Sequence, residues 1–225
     1  MFKSIVFFSL LGLSLAAPTE MESASDYMGT IKELFEYSDA TPACKEETDR
    51  MKKCFKTIVE EFNQTSETTT LPSKEEVFKS LVEVREALRC TGEVTCSKSK
   101  LSKYLVETAV YAVEHMYGGG FECLNEQNLQ MSMVGCMLMT IPREDLMNFS
   151  ADKISEHIKP IGRCVAKAQK CGKEAQLEFL KGTMAFAEIT EVSLKLAHAV
   201  RSQDKSFVET FDKKFNSWEF DNVEL

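Results

Sequence analysis

The sequence predicts an all-α protein, a disulfide-stapled bundle of roughly six to eight helices. Three observations predict it. Apolar residues recur at spacings of three and four along almost every periodic segment. No alternating run of useful strand length exists. Eight cysteines follow what reads as a removable secretory leader, so the thiols meet an oxidising compartment and end as disulfides.

The leader has a basic residue, Lys3, an apolar stretch over 4–15, and small residues at Ser14 and Ala16 where signal peptidase reads. The expected cut follows Ala16, leaving 209 residues and shifting the formal charge from −8 to −9. We read 1–16 as signal peptide, 17–43 as an N-terminal helix and lead-in, 44–201 as an eight-cysteine helical domain and 202–225 as an aromatic tail helix. A chain this long can bury a real core, so the disulfides reinforce it and do not replace it. The acidic balance offers no footprint for nucleic acid or for anionic membranes. The longest later apolar stretch, Met131 to Ile141, is about half a bilayer span, so no integral membrane segment is expected after cleavage. The ending Asn222-Val223-Glu224-Leu225 lacks the acidic residue of a retrieval tail at Val223, so secretion to the extracellular space is the expectation. Asn63-Gln64-Thr65 and Asn148-Phe149-Ser150 are acceptor sites for N-glycosylation.

Each element has its own signal. Tyr27, Ile31, Leu34 and Phe35 line one side of 26–37. Thr41-Pro42 opens the next helix, whose apolar face runs Met51, Cys54, Phe55, Ile58, Val59, Phe62. The Thr-rich stretch 64–72 reads as a loop. Ser73 and Glu76 form a capping box ahead of Val77, Leu81, Val84 and Leu88, and Gly92 stops that helix. Leu101, Tyr104, Ala109, Ala112 and Met116 place a helix over about 99–116, which Gly118-Gly119-Gly120 ends. The segment 123–139 has no polar face over Met131, Met133, Val134, Met137, Leu138 and Met139, so it is expected in the middle of the bundle. Residues 152–170 form a helix that Pro160 is expected to bend or split. Residues 174–201 carry two apolar stripes, one through Leu180, Met184 and Ala187 and one through Phe179, Phe186 and Ile189, with Gly182 as a point of flexure. Ser206 and Glu209 repeat the capping-box pattern before Phe207, Phe211, Phe215 and Trp218.

Helical geometry restricts the cysteine pairing. Ten residues of helix span about 15 Å, whereas a disulfide needs Cα atoms within about 7 Å. Cys44 therefore cannot pair with Cys54 on one continuous helix, nor Cys123 with Cys136. Antiparallel hairpins around 64–72 and around Asn148 bring Cys54 to Cys90, Cys44 to Cys96, Cys136 to Cys164 and Cys123 to Cys171. Bridges between the two quartets are the rival arrangement, and sequence alone does not choose.

Four pieces of the pattern resemble a known family: Cys44-x9-Cys54, Cys90-x5-Cys96, Phe121-Glu122-Cys123-Leu124 and Cys164-x6-Cys171-Gly172-Lys173-Glu174. Together with the leader they are similar to nematode secreted proteins catalogued as domain of unknown function 19. The likeness covers Cys44 to about Phe186 and not the tail. It implies a secreted helical domain and brings no activity, cofactor or catalytic residue.

No catalytic, metal or cofactor site is expected. His115, His157 and His198 lack a second ligand at helical spacing, no nucleophile elbow exists, and no Lys-Ser or Lys-Thr follows the three glycines. Glu60-Glu61 and Glu75-Glu76 fall on solvent faces. The expectation is a non-enzymatic extracellular interaction module, with Phe207, Phe211, Phe215 and Trp218 as the partner contact. The alternative is a carrier of a small apolar ligand beside the Met-rich helix, because methionine lines adaptable pockets.

Overall fold

The computed structural model describes residues 41–64, 73–124, 126–144, 151–202 and 204–224. The leader, the expected helix over 26–37, the Thr-rich loop after Gln64 and Asn148 lie outside the described residues. Among those described, the chain is all-α, with eight α-helices, one 3-10 turn and no strand. They are α1 Pro42–Gln64, α2 Lys74–Thr91, α3 Ser97–Tyr117, the 3-10 turn Phe121–Cys123, α4 Glu126–Thr140, α5 Ala151–Ala168, α6 Lys173–Arg201, α7 Ser206–Glu209 and α8 Trp218–Asp221.

The long helices stand side by side in the order α1, α2, α3, α6, α5, α4. α6 is central, with α3 on one flank and α5 on the other. Its two apolar stripes are the reason, since each covers a different neighbour: Phe179, Leu180, Ala185, Ile189 and Leu196 are all buried. At Gly182 α6 meets the backbone of α3. A β-carbon there would lie 2.7 Å from the Ala112 carbonyl oxygen and closer still to the Met116 side chain. Gly182 is thus a point of close approach and not of flexure. Replacing it by Ala should cost about 2 kcal/mol through overpacking, read as a lowered denaturant midpoint; an unchanged midpoint would show that the two helices can part at no cost.

The capping box forms as expected. Ser73 Oγ accepts from the Glu76 amide at 3.3 Å, and Glu76 Oε2 accepts from the Ser73 amide at 2.9 Å. Gly92 ends α2 at φ 67°, a conformation that favours glycine. Pro160 does not split its helix. α5 runs from Ala151 to Ala168 with Pro160 exposed, so its missing amide hydrogen bond falls on the solvent side.

The row has two ends, and burial is weakest there. Over 42–60, α1 buries no large apolar side chain fully, and Val59, expected on its apolar face, is exposed. α4 buries Leu129 and Cys136 and leaves most of its surface to solvent. The disulfides pin these two end helices. Cys44–Cys96 and Cys54–Cys90 hold α1, with Cα separations of 5.6 and 5.8 Å. Cys123–Cys171 and Cys136–Cys164 hold α4, at 5.3 and 5.7 Å. The nested arrangement is the one present, and bridges between the quartets are not. Each link contributes roughly 2–4 kcal/mol, largely by restricting the unfolded chain. Glu47 adds a polar anchor for α1. Its carboxylate accepts from the amides of Thr95 at 2.9 Å and Cys96 at 3.1 Å, at the start of α3. Burial opposes its charge, but these amides outweigh that and hold the carboxyl below its ordinary range.

The tail is not one helix. α7 and α8 are single turns, and the Ser206 amide donates to Asp204 Oδ1 at 2.9 Å instead of opening a box with Glu209. The cause is tertiary. Phe211 lies against Tyr104 with ring centres 5.5 Å apart, and Phe215 and Phe220 against Tyr111 at 5.7 and 5.3 Å. Tyr104 and Tyr111 are about 10 Å apart along α3. A helix would rise only about 6 Å from Phe211 to Phe215, so the strand of chain between them extends.

Candidate functional site

Two surfaces carry chemistry: the outer face of α4, and a cleft where the tail crosses α3. The first overturns a sequence expectation. α4 is at the edge of the row and not in its middle, because an all-apolar helix has no polar side to announce which face is outward. Met131, Val134, Leu138 and Met139 are 77, 52, 65 and 76% exposed. Of the Met-rich set, only Met133 and Met137 are half-buried. No charged residue occurs from Gln127 to Pro142. Next to this helix, α5 continues into a basic run: Lys159, Arg163, Lys167, Lys170 and Lys173 lie between His157 and Lys173 with no acidic residue among them. Arg163, Lys167, Lys170 and Lys173 are exposed. Sequence reasoning missed this run, although a stretch of five like charges in a chain of net charge −8 is a readable signal.

The second surface is a cleft of about 510 Å³ lined by Glu93 to Thr95, four residues of α3 and the tail residues Lys213 to Phe215. Lys100, Lys103, Lys213 and Lys214 supply its charge, against Glu93 and Glu107. Burial pushes the Glu107 carboxyl up, and Lys103, 3.9 Å away, opposes this. Most of the lysines are engaged. Lys100 pairs with Asp212, and Lys103 donates to the Gly92 carbonyl at 2.8 Å.

Lys213 reaches through to Glu188, the most deeply placed carboxylate of α6. Glu188 Oε1 accepts from Lys213 Nζ at 2.7 Å and from the Tyr104 hydroxyl at 2.9 Å, while Lys159 Nζ lies 2.8 Å from Oε2. Burial opposes the Glu188 charge, yet the two lysines overcome it and hold the carboxyl at about 2. Burial pushes the Tyr104 phenol up to about 12. This clasp ties α3, α5, α6 and the tail together, and it closes on itself.

The expected partner contact is divided. Phe211 is buried, Phe207 and Phe215 are half-buried against the bundle, and only Trp218 of the four is exposed. Tyr111 donates to Asp221 at 2.7 Å, and Ser97 Oγ donates to the Glu209 carbonyl at 2.8 Å, so the tail is fastened along α3 by polar links as well. His115 pairs with Glu178 at 2.6 Å, and Glu178 also with Lys181 at 2.7 Å. Asn63 falls in the last turn of α1. All eight cysteines are oxidised. Among the described residues, no three His, Cys, Asp or Glu side chains group as metal ligands, and no helix is long and apolar enough to cross a membrane.

The fold and its bonds define a disulfide-stapled all-α bundle with two pinned end helices. No family model, no curated protein and no solved structure matches the chain.

Proposed function

We propose that this chain is exported, oxidised in transit, and acts outside the cell as a non-enzymatic binding module whose contact surface is the outer face of α4. One observation carries the reading: four large apolar side chains stand in solvent on a helix that has no charged residue after Glu126. Contiguous apolar patches of this kind on a folded monomer mark interaction sites. The leader and the four disulfides support export. The self-contained ion pairs of Glu188 support a structural and not a catalytic use of the strongest buried charges. Carriage of a small apolar ligand, the other reading of the methionines, gains nothing from the cleft, whose walls carry four lysines and two glutamates.

The test is a pair of charges on the ridge. Met131→Glu with Leu138→Glu should leave the denaturant midpoint within about 0.5 kcal/mol of the parent, as surface changes do. The parent should be retained on a phenyl matrix and the variant released early. Loss of folding in the variant would return α4 to the core and end the reading.

A further inference from the structure

Resting on that reading of α4, we infer that its partner is an anionic lipid surface, with the ridge entering the headgroup boundary and the α5 basic row holding lipid phosphates and carboxylates. The geometry comes from the disulfides. Nested links Cys123–Cys171 and Cys136–Cys164 make α4 and α5 antiparallel, with Cys136 and Cys164 facing each other. With both right-handed helices phased from that pair at 100° per residue, residues about three-quarters of a turn on from the cysteine share one side of the hairpin. On α4 that side holds Met131 and Met139, with Leu138 on the crest beside them. On α5 it holds Arg163 and Lys167, and Lys170 follows just past the end of the helix. Arg163 and Lys167 fall between the levels of Met139 and Met131, so charge and apolar surface interleave over about 12 Å of helix. Arg163, Lys167 and Lys170 carry no ion pair with another described residue. Glu156, exposed beyond Pro160, is the acidic residue at the far end of the same side.

This arrangement selects the occupant. A four-residue ridge offers a few hundred Å², short of the roughly 800 Å² per partner that a stable protein interface buries. An anionic bilayer needs no large matched area. It takes up apolar side chains at the acyl boundary and is drawn to basic residues, each contributing about five-fold in affinity near the surface.

The oxidised mature protein is sedimented with vesicles of phosphatidylcholine alone and of phosphatidylcholine with about one-third phosphatidylserine, at low and high salt. The expected result is association with the anionic vesicles only, reversed by high salt. Arg163→Glu with Lys167→Glu and Lys170→Glu should weaken it about 100-fold or more. Met131→Glu with Leu138→Glu should also abolish it, while both variants keep the parent's circular dichroism. Absence of association at low salt, with phenyl-matrix retention intact, overturns the lipid partner and leaves the contact face standing. Absence of both overturns the face as well. Dimers in sedimentation velocity, together with inert vesicles, would replace the bilayer by a second copy.

Discussion

Deleting residues 204–225 is expected to lower the thermal midpoint by about 10 °C, with a loss of about 4 kcal/mol. The tail reads in sequence as a detachable amphipathic helix, but it functions as a strap. Its removal uncovers Leu101 and Tyr104 of α3 and Val192 and Leu196 of α6, the cluster that Phe211 completes. It takes Phe220 from the main core. It also strips Lys213 from Glu188, which keeps only Lys159 and Tyr104, and takes Asp221 from the Tyr111 hydroxyl. Trp218→Ala, by contrast, should change stability by no more than about 0.5 kcal/mol, because that ring stands in solvent. Scanning calorimetry of the two variants checks the pair. Equal midpoints for the deletion and the parent would show that the tail is dispensable, and would restore it as a free docking element.

The contrast between tail and cysteines shows what a sequence can reveal. The nested pairing was legible only in part: the rise of a helix forbids Cys44–Cys54 and Cys123–Cys136 and hairpins favour the nested set, but no length in the sequence excludes bridges between the quartets. The core of α2 was legible because Val77, Leu81 and Val84 repeat with the helical period between a strong cap and a glycine stop. The central place of α6 was half-legible in its two stripes. For α4, every side is apolar, so the period that reports a buried face is missing and the mean composition pointed inward. Its true position depends on how many neighbours the row supplies, a tertiary quantity. The tail failed for a related reason. Ser206 and Glu209 are correctly spaced for a box, but anchors at Tyr104 and Tyr111 draw the chain out. Local propensity is weak where several large rings gain burial by extending the backbone.

Glu188 was missed, yet it left a trace. Leu180, Met184, Val192 and Leu196 make an every-fourth apolar row along α6, and Glu188 interrupts it. A carboxylate in such a row must find a cation inside the fold, and here it finds two. Glu188→Gln should therefore destabilise the protein by about 3 kcal/mol at neutral pH, with the cost shrinking in acid. The direction follows from linkage. The folded carboxyl sits at about 2 against an ordinary value of 4.5. Its contribution is complete above 4.5 and is lost as the pH falls through about 2. The gap between parent and variant should narrow to about 1 kcal/mol at pH 3. From the other side of the pair, Lys213 is held above its ordinary 10.5, so its contribution persists until the solution is more alkaline than that. Denaturant titrations of parent and variant at pH 7 and pH 3 measure both gaps. A gap that stays constant would assign the loss to packing around the shorter-range amide, and the charge on Glu188 would then have no part in holding the tail to the bundle.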